Sequence, residues 1–449
     1  MHITYTLTDE SPALATYSFL PIVKAFLSKA NIRVVSSNIS LSGRIIAEFS
    51  ESLKEEQKCE NALANLGELV KKADANLIKT PNISASIPQL KAAIEELQKK
   101  GYMLPNYPDE PKNDEEFQIK SKYQKILGSA VNPVLRQGNS DRRCTKAVKD
   151  YAKHNPYRVI PFDPKSKSRV SYMKDGDFFS NEKAVLIKDD CLAHIEFISE
   201  NGTKTILKEN LKLEKNELLD ATFMSVEKLM RFYEEQIKLC KDENLLFSLH
   251  LKATMMKVSD PIIFGYAVRA YFKELFEEFG EEFEKLSINA NNGLNELLNK
   301  VENSSQKDAI LKKYYEILDK SADISMVNSD KGITNLHIPS DVIVDASMPA
   351  MLKNGAKLWD KEGKERDVNA LIPDKTYATI YEAVIEDLHK NGTLNPAKLG
   401  SVSNVGLMAK KAQEYGSHNK TFIAPENGTM RIIANGEVLL EHKLNKNDI

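Results

Sequence analysis

The sequence predicts an α/β fold divided into two compact units, and three observations lead there. Strand-like and helix-like segments alternate from the amino terminus to Gly101, the pattern of a parallel sheet covered by helices. A chain of 449 residues is longer than one ordinary domain. A Pro-rich stretch at 102–114, YMLPNYPDEPKND, and a change to β-rich sequence beyond Cys144 mark a crossing between units, so the expected division is 1–143 and 144–449.

Residues 2–7 (HITYTL) have strand character. Ser11 offers an N-cap with Pro12 in the first turn of a helix that runs to Lys29, and residues 32–36 read as the next strand. Helices are expected at 41–49 and 61–72, a short strand at 75–79, and a helix opened by Ser86 and Pro88 that ends near Gly101. No G-x-G-x-x-G and no Walker-type loop follows these strands, so a Rossmann dinucleotide site is not supported.

The second unit opens with a helix at 147–154. Strands are expected at 184–187, 192–199 and 203–207, with Asn201-Gly202 turning between the last two. Ser225 should cap a long helix to Cys240, followed by a strand at 245–253. Asp260-Pro261 opens one long helix running past Leu275, whose five glutamates between Glu277 and Glu284 read as a solvated face. Strands at 324–328 and 341–344, helices at 377–389 and 404–415, and a tail hairpin around Asn435-Gly436 complete the chain. Trp359, the sole tryptophan, is expected in core or interface packing.

Composition narrows the function. With 62 basic against 64 acidic residues the formal charge is −2, which argues against a general nucleic-acid or membrane binder, so any anion site must be a local concentration of Arg and Lys. There is no signal-peptide pattern at 1–11 and no apolar run long enough for a membrane span. The four cysteines lie far apart, and Cys191/His194 has no second pair to complete a zinc site, which fits reduced thiols in a cytoplasmic protein.

One such concentration is LGSAVNPVLRQGNSDRR at 127–143. Arg136, Arg142 and Arg143 could bind carboxylate or phosphate through paired charge-assisted hydrogen bonds, with Ser129, Asn132 and Asn139 as neutral donors. The same arginines would also serve as solvated charges.

This segment closely resembles the substrate-binding segment of the monomeric NADP-dependent isocitrate dehydrogenases of bacteria. NISASIPQLKAAI at 82–94, FSLHLKATMMKVSDPIIFG at 247–265, MVNSDKGITNLHIPSDVIVDASMPAM at 326–351 and NVGLMAKKAQEYGSHNKTF at 404–422 resemble that family in the same order. The resemblance implies a two-domain isocitrate/isopropylmalate dehydrogenase-like architecture. Chains of that family run on past the point where this one stops, so the architecture is expected to be incomplete. The first unit would lack a carboxyl-terminal segment that returns to it.

Strand 245–253 places Leu245, Phe247, Leu249 and Leu251 on one face and Leu246, Ser248, His250 and Lys252 on the other. Lys252 then sits where a strand gives way to a loop, the position at which ligands collect in α/β sheets and also an ordinary place for a solvated lysine. Asp345 follows the apolar run 342–344, where a carboxylate requires a cation partner or caps a helix over 348–352. Tyr415 follows a helix and could be a packed aromatic. Asn82 and Ser84 precede a helix amino terminus, a place suited to an anion or an amide as well as to capping.

By resemblance, Lys252 and Tyr415 are the catalytic pair, and Ser129, Asn132, Arg136 and Arg142 bind isocitrate. Asp345 holds magnesium or manganese, and Asn82 and Ser84 contact the nicotinamide end of NADP or the substrate beside it. Asp330 is a weaker metal candidate, and His418 has no assigned role. The implied reaction is oxidative decarboxylation of isocitrate to 2-oxoglutarate and carbon dioxide. The family is monomeric, but this chain is expected to be inactive alone and to need a complementary chain. The alternative is a truncated non-catalytic paralogue or split-enzyme half that binds a tricarboxylate or a partner.

Overall fold

The computed structural model describes residues 2–8, 13–69, 72, 76–78, 85, 87–109, 111–127, 150–151, 154–155, 160–252, 259–393 and 421–449. It separates into two units. One comprises Met1–Tyr157, Thr254–Lys257 and Pro396–Asn419, and the other comprises Arg158–Ala253, Val258–Asn395 and Lys420–Ile449. The crossing expected near Cys144 lies outside the described residues.

In the first unit, strand His2–Leu7 is flanked by Arg33–Asn38 and Leu77–Ile78, and both pairings are parallel, as the alternating pattern implied. Ser40 caps the helix Leu41–Glu48 by accepting from the Gly43 amide at 3.0 Å. That helix packs with Ile87–Lys99 and Asp114–Leu127 around Ile45, Leu90, Ile94 and Tyr123. The Pro-rich connector is more than a tether: Leu104 and Tyr107 join this core, and the Pro105 carbonyl accepts from the Tyr123 hydroxyl at 2.6 Å. Helix Ala13–Lys29 leaves Tyr17, Phe19, Ile22 and Phe26 exposed.

The second unit is built on a mixed sheet that the sequence only partly revealed. Strand Glu365–Leu371, absent from the expected elements, pairs in parallel with Leu246–Leu249 and Arg169–Ser171 and antiparallel with Lys357–Trp359. The alternation read in the 245–253 segment holds, but both faces are covered. Leu245, Phe247, Leu249 and Leu251 enter one apolar cluster with the helices Val226–Glu243 and Asp260–Tyr271. Leu246 enters another with Val368, Ala370 and the helices Val344–Lys353 and Lys375–Asn391.

The far edge of that strand is satisfied by three different segments. The Phe247 amide donates to the Asp323 carbonyl at 2.8 Å, and the Phe247 carbonyl accepts from the Ser325 amide at 2.9 Å. Leu249 is met by a side chain: its amide donates to Asn335 Oδ1 at 2.6 Å, and its carbonyl accepts from Asn335 Nδ2 at 3.0 Å. The Leu251 amide donates to the Val342 carbonyl at 2.8 Å, and its carbonyl accepts from the Val344 amide at 2.7 Å.

A second, antiparallel sheet joins the tail hairpin Gly428–Ala434/Glu437–Leu444 to Cys191–Ser199, which pairs in turn with Lys204–Leu213. Asn435 and Gly436 have φ of 52° and 82°, the two left-handed residues that a tight hairpin turn of this kind requires. Ser225 stands at the N-cap of Val226–Glu243, but its side chain makes no cap bond there; the Val226 amide donates instead to Asp448 Oδ1 at 2.9 Å.

Several expectations are corrected. The long helix past Leu275 is two helices, Asp260–Tyr271 and Lys273–Lys285, which meet at Phe272 with φ −104° and ψ 33°. Four of its five glutamates, Glu277, Glu278, Glu281 and Glu284, are exposed, but Glu282 is largely covered and accepts from the Ser304 hydroxyl. Residues 341–344 are not a strand: Pro339–Val342 is a tight 3-10 turn, and Val344 already begins a helix, leaving one isolated bridge between Leu251 and Ile343. Trp359 is 41% exposed and, among the described residues, joins no apolar core, which removes the core half of its expectation. The expected helix at 404–415 lies outside the described residues.

Asn335→Ala should leave the Leu249 amide and carbonyl without partners in a buried place. The expected loss is about 2–4 kcal/mol of stability, read as a lower denaturation midpoint at constant slope.

Candidate active site

At the carboxyl-terminal end of strand Leu246–Leu249 the chain stays extended through His250 and Leu251 to Lys252. The paired backbone bonds of Leu251 with Val342 and Val344 bring this end against the first turn of the helix Val344–Lys353. Lys252 Nζ there forms an ion pair with Asp345 Oδ2. The lysine side chain is 20% accessible and the carboxylate 54%, so the pair reaches solvent. The Lys252 amide donates to Asp260 Oδ2 at 2.8 Å, and Asp260 is itself buried in the first turn of the helix Asp260–Tyr271.

Two residues drawn from sequence segments 93 positions apart are therefore in direct contact. Asp345 is not at the end of a buried strand and does not cap the helix. Ile343 is the N-cap, and Asp345 lies in the first turn, where a carboxylate also complements the helix dipole. Asp330 is exposed in the turn between Met326–Asn328 and Ile333–Thr334, and among the described residues no ion pair or hydrogen bond of its side chain recommends it.

Beneath the pair runs a largely buried polar chain that the sequence reading did not single out. Ser325 Oγ donates to Ser248 Oγ at 2.8 Å, and Ser248 Oγ lies 2.9 Å from His250 Nε2. His250 Nδ1 lies 2.7 Å from Ser347 Oγ, which donates to the Ile343 carbonyl at 2.9 Å. With the Ser347 hydroxyl donating to the Ile343 carbonyl, the arrangement suits the neutral tautomer that carries its proton on Nδ1 and accepts from Ser248 at Nε2. His250 is thus neutral, and burial pushes its pKa down to about 3. Ser248 and His250 share the period-two face with Lys252, which was the available signal.

Among the described residues no group of three or more His, Cys, Asp or Glu is arranged to hold a metal ion. Asp345 by itself supplies one hard oxygen donor already facing a cation, the kind of ligand that magnesium takes singly or in pairs, with water and substrate oxygens completing its shell. Ser129, Asn132, Arg136, Arg142, Asn82, Ser84, Tyr415 and His418 all lie outside the described residues. Cys59, Cys191 and Cys240 carry free thiols, and no described helix is long and apolar enough to cross a membrane.

A family model described as monomeric isocitrate dehydrogenase matches residues 2–449. The chain belongs to this family. Among its relatives, isocitrate dehydrogenase [NADP] 2 of Colwellia maris is 50% identical over 450 residues, which cover all of this chain and 61% of that protein. Isocitrate dehydrogenase [NADP] of Corynebacterium glutamicum is 51% identical over 448 residues, again covering all of this chain and 61% of the relative. The chain thus spans about three-fifths of the length of the curated isocitrate dehydrogenases it matches. Within the family-matched region, Lys252 and Asp345 are the two expected site residues that the described structure brings together.

The His250 environment makes acid stability testable. Its folded-state pKa lies below the ordinary 6.5, so the unfolded chain takes up this proton first as pH falls. The contribution is intact above pH 6.5 and is lost progressively between there and about 3, amounting to about 2 kcal/mol by pH 5. The difference in unfolding free energy between the unmodified chain and His250→Asn, followed across that window, should show this slope. Parallel curves would exclude it.

Proposed function

We propose that the chain carries catalytic and substrate-binding groups for NADP-dependent oxidative decarboxylation of isocitrate to 2-oxoglutarate and carbon dioxide. The observation that carries this reading is the Lys252–Asp345 contact at the end of the sheet, in a chain whose relatives are named NADP isocitrate dehydrogenases. Nothing in the match to those relatives requires a complementary chain, and none is part of the proposal.

Arg136 and Arg142, with Ser129 and Asn132, would hold the three carboxylates and set the hydroxyl-bearing carbon against the nicotinamide, near Asn82 and Ser84. Lys252, in its neutral amine form once Asp345 has turned to the metal ion, would take the hydroxyl proton as hydride leaves the same carbon for NADP. The resulting β-keto acid loses carbon dioxide, its bonding electrons remaining as an enolate, and Tyr415 or Lys252 would return a proton to the enolate carbon. Asp345 would hold magnesium or manganese, which when bound supplies Lewis-acid compensation of negative charge on the substrate oxygen. Placement and charge compensation are the protein's share, while the nicotinamide accepts the hydride. The same proposal places the protein in the cytoplasm, where its thiols remain reduced.

The test is NADPH formation from isocitrate, NADP and magnesium. It is run on this chain and on a mixture with the part of a relative that the match does not cover. Lys252→Met and Asp345→Asn should each lower the rate by about 100- to 10,000-fold in protein that keeps its circular dichroism spectrum. A folded chain silent in both settings, or variants as fast as the parent, would remove the enzyme reading and leave a tricarboxylate-binding protein.

A further inference from the structure

The sharpest feature unused by that mechanism is the Ser325–Ser248–His250–Ser347 chain, buried from Ser325 to His250 and half-buried at Ser347. Its two ends are unequal. On the Ser325 side it joins main-chain segments that are already paired through Phe247. On the Ser347 side it crosses from the sheet to a helix and ends two residues from Asp345. The helix Val344–Lys353 starts without a side-chain cap bond at Ile343, so its first turn is tied to the sheet strand by the Leu251 bridge and by His250.

We propose that His250 is a positioning residue: by donating from Nδ1 to Ser347 it fixes the first turn of the helix Val344–Lys353 and holds Asp345 within reach of Lys252. This deepens the proposed function and rests on it for the meaning of the Lys252–Asp345 pair. The bridge at Leu251 fixes the translation of the helix start along the strand, but both of its bonds are main-chain bonds on one side. A side-chain bond one residue away, on the other face of the strand, opposes rotation about that bridge. Asp345 and Ser347 lie on the same turn, so a rotation that breaks the Ser347 bond also carries the carboxylate away from Lys252.

The experiment is amine acylation of the full chain with limiting acetic anhydride, the rate at each lysine being read by mass spectrometry. Neither substrate nor metal is present. Lys313 is a matched control in the same unit, 21% accessible and paired with Glu274 at 2.6 Å, against 20% for Lys252. His250→Leu and Ser347→Ala should each raise the Lys252 rate by about five-fold, the effect of losing one hydrogen bond. Lys313 should not change. His250→Asn, whose amide nitrogen can reach Ser347 from near the place of Nδ1, should restore the parent rate, and the Leu/Ala double variant should be no worse than either single one. If His250→Leu does not fold, Ser347→Ala carries the same test.

A Lys252 rate unchanged in Ser347→Ala, a rise shared by Lys313, or failure of His250→Asn to rescue overturns the proposal. Failure of the enzyme reading appears separately, as absence of NADPH formation by the unmodified protein both alone and in the mixture with part of a relative, and leaves the acylation result as it stands.

Discussion

A strand buried on both faces cannot leave a main-chain polar group unmet, and the rest of the second unit answers to that constraint. Strand Leu246–Leu249 and its extension to Leu251 run between two apolar clusters. One edge is met by Glu365–Leu371. The other is met by three short pieces that are not one strand: the main chain around Ile324, the side-chain amide of Asn335, and the main chain around Ile343. An unpaired amide or carbonyl there would forfeit most of the stabilisation gained by burying a neighbouring leucine. The irregular run 322–344 is therefore held in place by the strand it serves.

That arrangement decides where charge can appear. Along the second face of the strand the side chains go from Leu246 through Ser248 and His250 to Lys252, from apolar to neutral polar to charged, as the strand leaves the core. The hydroxyls and the neutral imidazole satisfy one another. The ammonium is admitted only where solvent is reached and a carboxylate stands opposite. Lys252 and Asp345 meet because the same bridge that closes the strand edge also starts the helix that carries Asp345.

Much of the fold was legible in local pattern. The parallel strands of the first unit, the helices Leu41–Glu48 and Ile87–Lys99, and the tail hairpin with Asn435-Gly436 all follow from periodicity and turn chemistry that act over a few residues. The misses have long-range causes. Strand Glu365–Leu371 mixes Arg366, Asp367 and Asn369 among its apolar residues because neighbours far away in sequence meet them: Asp367 accepts from Ser166 and the Lys167 amide, and Asn369 accepts from Ser171. The run 341–344 looked like a strand by its valines and isoleucine, yet Pro339 and the tie to Leu251 turn it into a helix start.

The sequence by itself determined the family and the α/β character, since each rests on residue identity and on patterns read over short spans, and it put forward Lys252 and Asp345 as candidates. Only the tertiary structure decided that these two are an ion pair, that a buried His250 hydrogen-bonded to Ser347 stands behind them, and that Asp448 rather than Ser225 caps the helix Val226–Glu243. Each of those outcomes joins side chains or backbone groups between 93 and 222 positions apart. The partner of a buried polar group is chosen by what packing brings within hydrogen-bond reach, and no local pattern encodes that distance.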